Sequence, residues 1–217
     1  MRWIQEFKDK HKGKTMLLVG NGGNLHLTPP EEFDYPSIGM NTIVEYENWM
    51  PDYFVTVDRR VYGEYRGKID KKFTDIPKIL PHPRLMKWVT PNIYFFKARQ
   101  GFLWPKNGVS LWQDDFETTP ISYGNCMHVA MKLAYYMGAK TILVIGMEHE
   151  PHSINRHFWG IDTVMSPDQP IKDWLEGYSI LADNLLQRRV KLLNISEDTF
   201  VPADIIPQDN WENWKKE

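Results

Sequence analysis

The residues best suited to chemistry gather late in the chain. Glu148, His149, Glu150, His152 and His157 form its densest run of titratable side chains. Imidazole titrates near neutrality, so a histidine here suits general acid–base work, and His149 and His157 are the candidates. Histidine beside carboxylate also suits zinc or manganese, but no established ligand spacing is met and no metal site is assigned. Solvated loop histidines are the third reading of the same residues.

A second chemical signal comes early, at Met16-Leu17-Leu18-Val19-Gly20-Asn21-Gly22-Gly23-Asn24-Leu25. An apolar run enters a turn of glycines and asparagines, which reads as a short buried strand followed by a loop. Gly20, Gly22 and Gly23 can take positive φ and let a ligand approach the backbone. A strand ending this way presents N–H groups at the carboxyl edge of a sheet, where α/β folds hold phosphates. The dinucleotide fingerprint is not met, because its third glycine would fall on Leu25. A purely structural tight turn is the alternative.

These residues need a scaffold to bring them together. Further strands are expected at Ser37–Met40, ending at Asn41, and at Tyr53–Val57, ending at Asp58. Ile79–Leu80 and Ile93–Phe96 read as strands, as do Lys140–Gly146 and Val190–Ile195. In a parallel sheet Asn21, Asn41 and Asp58 lie along one edge, which makes them ligand contacts. A helix is expected after Ser122-Tyr123-Gly124, with Met127, Ala130, Met131 and Ala134 on one face and Gly138 at its end. The free N–H groups at its start suit an anion. A second helix spans Lys172–Gln187, and a short amphipathic helix is expected over residues 2–11. Residues 59–91 give no clear pattern. From Arg99 to Pro120 runs a glycine- and proline-punctuated stretch carrying Trp104 and Trp112, read as a lid or binding loop over about 99–120. The expectation is α/β: a single Rossmann-like three-layer domain over 1–217, with a mostly parallel central sheet and helices on both faces. A Trp-rich tail at about 200–217 packs on the body or on a neighbouring subunit, which would make a homo-oligomer.

Composition narrows the function classes. The 217 residues carry 25% charged and 42% hydrophobic side chains and a net charge of −2, which gives no case for non-specific nucleic-acid binding. Nine Trp, ten Tyr and ten Phe mark an aromatic-rich core or cleft. The single cysteine, Cys126, excludes an internal disulfide and fits a cytoplasmic setting. No signal-peptide pattern opens the chain and no apolar run has membrane-spanning length.

In order, these motifs resemble the bacterial CMP-sialic acid-dependent sialyltransferases of the variant GT-A type, and related uncharacterised phage and flagellin-glycosylation proteins. The same core is similar to archaeal-type hydroxymethylpterin pyrophosphokinases. The sialyltransferase loop Gly-Asn-Gly-x-Ser-Leu stands here as Gly20-Asn21-Gly22-Gly23-Asn24-Leu25. That family's Cys-Asn pair appears as Met40-Asn41. Its Thr-Ser-Gly helix start appears as Ser122-Tyr123-Gly124, and its Gly-x-Asp as Gly146-Met147-Glu148. His157-Phe158-Trp159-Gly160 matches its His-Tyr-x-Gly. The resemblance implies a cytidine nucleotide held by Gly20, Asn21, Gly22, Gly23, Asn41, Asp58, Ser122, Tyr123, Gly124, Gly146 and Glu148, with no metal required. Trp104 and Trp112 would meet the acceptor. The family's base histidine follows His-Tyr-x-Gly directly, and Ile161 holds that place here, so His157 or His149 would supply the base. The expected activity is transfer from a CMP-type nucleotide sugar to an acceptor hydroxyl. The alternatives are a Mg²⁺-dependent pyrophosphokinase-like transferase and a non-catalytic nucleotide-binding or assembly protein.

Overall fold

Eight short strands line up in one sheet, in the order β1-β6-β5-β4-β3-β2-β7-β8. The computed structural model describes residues 2–81, 92–96, 116, 125–149, 157–158 and 171–216. The strands are β1 Arg2–Trp3, β2 Thr15–Val19, β3 Ser37–Met40 and β4 Tyr53–Val55, then β5 Lys78–Pro81, β6 Ile93–Phe96, β7 Thr141–Ile145 and β8 Lys191–Asn194. Every pairing is parallel. This is the expected α/β Rossmann-like sheet.

Parallel strands are buried on both faces, which is why they read as unbroken apolar runs. Alternation then sorts each run between two cores. Met16, Leu18, Ile142 and Val144 join helices α2 (Cys126–Tyr136) and α3 (Ile171–Gln187) on one face. Leu17, Val19, Leu143 and Ile145 join α1 (Arg59–Lys72) on the other. Each fully buried aliphatic chain contributes roughly 1.5–3 kcal/mol, so both layers are firmly fixed to the sheet.

Local chemistry sets the helix ends. Asn125 caps α2, its Oδ1 accepting from Met127 N at 2.8 Å. At the other end Gly138 takes φ +88° and Ala139 N donates to Ala134 O at 3.0 Å, the glycine stop expected from the sequence. Asp58 caps α1 by accepting from Arg60 N at 2.8 Å. Buried Lys78 answers the far end of α1, its ammonium donating to Phe73 O at 2.6 Å.

Two expectations need correction. The short helix expected over residues 2–11 is instead strand β1 followed by a 3-10 turn at Ile4–Phe7. Arg2 and Trp3 pair with Tyr94 and Phe95, covering an edge of β6 that would otherwise stand open. The patternless stretch after Asp58 contains α1, whose only buried side chains are Tyr62 and Ile69. Two buried residues in fourteen leave too thin an apolar stripe to read. The tail packs on the body: Trp211 Nε1 donates to Glu197 at 2.9 Å and Lys216 N to Glu32 O at 2.8 Å. Of the aromatic stretch 99–120, Phe116 alone is described, and it lies in the core against Phe96 at 5.4 Å.

Candidate functional site

The strand order reverses at β2. The chain runs outward through β3 to β6 on one side, then returns to lay β7 and β8 on the other. Open α/β sheets bind ligands at the carboxyl ends of the strands flanking such a switch point. Val19 pairs with both Gly39 and Ile145, so the ends of β3, β2 and β7 are level there.

The loops after β2 and β7 interlock. Gly20 N donates to Ile145 O at 2.9 Å and Gly22 N to Gly146 O at 3.0 Å. A Cβ on Gly20 would stand 2.2 Å from Gly146 O, so the two backbones touch where any side chain would part them. Gly146 itself turns at φ +65°. These contacts account for two glycines by packing, and they take up two of the N–H groups expected to face a ligand. Among the described residues, the loop amides outside this pairing are those of Asn21, Gly23 and Asn24.

Glu148 follows two residues later and is buried, with 4% exposure. Its carboxylate lies where a Cβ on Gly22 would project, with Oε2 1.1 Å from that position. Asn21 is 9% exposed, and its buried Oδ1 has no hydrogen-bond partner among the described residues. Native structures pair nearly all such atoms, so an orphan at a switch point marks a place for a ligand donor.

The backbone carbonyl of Asn21 holds the histidine segment. It accepts from Phe158 N at 3.2 Å and from His157 Nδ1 at 3.1 Å. A carbonyl only accepts, so Nδ1 is the donor in this bond. Phe158 packs edge-on to Tyr46 at 5.3 Å, which fixes the segment over the loop.

His149 is placed differently. It follows Glu148 in a left-handed turn at φ +53° and its ring lies between Trp174 and Tyr178, at 5.0 and 5.5 Å. Asn125 Oδ1 is committed to its helix cap, so its Nδ2 donates to the Tyr178 hydroxyl at 2.8 Å. That hydroxyl is also hydrogen-bonded to His149 Nε2 at 2.8 Å. Nε2 of the imidazole is thus engaged, and burial draws its pKa down to about 4. His128, which the sequence did not single out, stands beside it: its ring is 4.3 Å from that of Tyr178, Nε2 donates to Trp174 O at 3.2 Å, and burial lowers it to about 3.

Asn41 turns at φ +50° just beyond β3 and accepts at Oδ1 from the Thr56 hydroxyl at 2.9 Å. Its Nδ2 is the group it can offer a ligand. Asp58 lies at the same edge, with its carboxylate given to the α1 cap and to Arg60 at 3.2 Å. The structure therefore gathers Gly20, Asn21, Gly22, Gly146, Glu148 and His157 at one place on the carboxyl edge, with Gly23 in the same loop and Asn41 just beyond the neighbouring strand. Ser122, Tyr123, Gly124, Trp104, Trp112 and Ile161 lie outside the described residues. Tyr178, which bonds to His149, is a site neighbour that sequence position did not reveal. Among the described residues no three His, Cys, Asp or Glu side chains converge to hold a metal ion, and no helix is long and apolar enough to cross a membrane.

No protein-family model matches the chain, and no curated protein matches it. Among solved structures it is similar to the sialyltransferase CstII from Campylobacter jejuni, in complex with a substrate analogue, cytidine-5′-monophosphate. The match covers 95% of this chain and 88% of that one at 11% identity, with a TM-score of 0.52. At that identity the likeness is one of fold: the chain has a sialyltransferase-like, Rossmann-like sheet.

Proposed function

We propose that the chain is a glycosyltransferase that takes a sugar from a CMP-type donor and places it on an acceptor hydroxyl. The observation that carries this reading is the buried Oδ1 of Asn21 at the switch point, which has no partner among the described residues, on a residue whose backbone carbonyl holds His157. The fold shared with a structure that holds cytidine-5′-monophosphate supports the choice of nucleotide.

In this reading the donor's phosphate meets the amides of Gly23 and Asn24 and the Asn41 side chain, groups that stabilise the negative charge gathering on the leaving phosphate. The Glu148 carboxylate accepts from ribose hydroxyls, since a carboxylate oxygen is an acceptor and a hydroxyl a donor. His157 Nε2 takes the proton of the acceptor hydroxyl as its oxygen bonds to the anomeric carbon. The bond from that carbon to the phosphate oxygen breaks, and CMP leaves with the electron pair. The phosphate is held by neutral donors, so the reaction is assigned no metal.

The test is thermal shift with CMP, with and without Mg²⁺, followed by assay of CMP release from a CMP-sugar. Metal-free stabilisation by CMP, lost in Asn21→Ala, together with CMP release, is the expected result. Stabilisation only by ATP with Mg²⁺ would replace this reading with pyrophosphoryl transfer. CMP binding without turnover would leave a nucleotide-binding protein that retains the fold.

A further inference from the structure

One aromatic residue at the carboxyl edge has no part in the core. Phe200 is 55% exposed, yet its N–H donates to Glu148 O at 2.8 Å. Two more bonds fasten the same loop to the turn after β7. Met147 N donates to Ser196 Oγ at 3.2 Å, and the Thr199 hydroxyl donates to Met147 O at 2.9 Å. Behind them stands Asn194, fully buried at the end of β8. Its Nδ2 donates to Thr199 Oγ1 at 2.9 Å and its Oδ1 accepts from Ser196 N at 3.1 Å.

Single exposed apolar residues are common on protein surfaces. Met50, at 58%, and Leu186, at 73%, are of that kind. Phe200 differs because a buried asparagine and two hydroxyl bonds lock its backbone against the main chain of Met147 and Glu148. A fixed loop that keeps a flat ring in water at the carboxyl edge of the sheet offers a stacking surface.

We propose that Phe200 is the face on which the nucleobase of the ligand stacks, an inference that rests on the nucleotide-donor reading above. The geometry supplies an order. Phosphate donors follow β2, the Glu148 carboxylate reaches back from β7 to the same loop at Gly22, and Phe200 follows β8, two strands along. Two strand spacings come to about 10 Å, a length that phosphate, ribose and base fill when laid out in that order. Stacking on an aromatic ring adds affinity for any base, because each has a π-face. Phe200 therefore sets the preference for nucleosides over bare sugar phosphates and leaves the choice among bases to other groups.

Calorimetric titration of CMP into the full chain and into Phe200→Ala, Phe200→Leu and Phe200→Trp tests the assignment. Because Phe200 is exposed, all four proteins fold, which their melting temperatures verify. Phe200→Ala weakens CMP binding about tenfold, Phe200→Leu is nearly as weak, and Phe200→Trp restores it. Undiminished binding by the alanine or leucine variant, or a tryptophan variant as weak as alanine, overturns the stacking role while the nucleotide reading stands. A wild-type chain that takes up no CMP overturns both.

Discussion

The carboxylate of Glu148 lies against the Cα of Gly22, filling the space that any side chain at position 22 would need. Eight residues of a strand and turn bring it there, because β7 lies beside β2 and its loop crosses back over the glycine turn. Gly20, two positions earlier, is instead pressed against a backbone carbonyl, that of Gly146. The same residue type thus answers two constraints, one from main chain and one from the end of a side chain.

These constraints separate in mutants. Gly20→Ala drives a methyl into the Gly146 carbonyl, which cannot move without unzipping two strands, and costs about 3 kcal/mol or more of stability. Gly22→Ala meets only a side-chain end, so the carboxylate swings aside at a cost of about 1–2 kcal/mol and CMP binding is lost. In the double variant Gly22→Ala/Glu148→Ala, stability recovers relative to Gly22→Ala and binding does not. Urea denaturation and CMP titration of the set read the two effects separately. Equal destabilisation by both single substitutions would contradict the assignment.

The buried imidazoles make the fold acid-sensitive. His149 and His128 have folded pKa values of about 4 and about 3, below the unfolded value near 6.5. Their neutral forms are the ones packed, so their stabilising contribution is complete above pH 6.5. As pH falls from 6.5 toward 4 the unfolded chain binds protons that the folded chain refuses, and stability drops. For His149 alone the loss is on the order of 2–3 kcal/mol at pH 4. Urea midpoints measured from pH 7 to pH 4 show the fall, and His149→Gln flattens it. A variant with the wild-type slope would mean that the ring titrates freely in the folded state.

The sheet was legible because double-faced burial writes each strand as an apolar run, and β6 matches its expected bounds, Ile93–Phe96. The helix stop at Gly138 was legible too, since a left-handed turn after an apolar helix needs glycine. Within the candidate site, the asparagines and glycines at strand ends could be read from position alone. What could not be read is pairing across the topology. Tyr178 lies 29 residues beyond His149, and only the docking of α3 brings its hydroxyl to the ring. In the same way the pairing of Gly20 and Gly22 with β7 turns two apparent ligand donors into backbone cement. Phe200 left no local trace, because an exposed phenylalanine in a loop acquires meaning only from what its backbone is bonded to.

Helix α1 carries room for improvement. Gly63 and Gly67 sit in its interior, both exposed, and a Cβ at either position would meet nothing within 4 Å. Alanine there removes backbone freedom from the unfolded chain without touching a neighbour. Each substitution raises stability by about 0.5–1 kcal/mol, and the two add, since they share no partner. Thermal or urea unfolding shows the gain, while CMP affinity is unchanged because the helix starts at the edge but runs away from it. A loss of stability in either variant would show that the glycines meet a surface that this chain alone does not display.

His157 is the strongest claim on catalysis, and its geometry makes the claim specific. The Asn21 carbonyl fixes which nitrogen holds the proton, and the amide of Phe158 bonds to the same oxygen, so the ring is oriented by the loop that borders the ligand site. His157→Ala therefore removes the base without removing a phosphate or ribose contact. CMP binds with unchanged affinity, and transfer falls by about 10²–10⁴-fold. His157→Gln retains a donor for the Asn21 carbonyl but has no basic nitrogen, so it restores the position of the segment and none of the rate. His149→Gln, by contrast, leaves turnover near neutral pH intact, because Nε2 of that ring is already engaged by the Tyr178 hydroxyl. Transfer rates of the three variants, each set beside its CMP affinity, decide between the histidines. If His149→Gln abolishes turnover and His157→Ala does not, the base lies in the buried cluster and the roles assigned here are reversed.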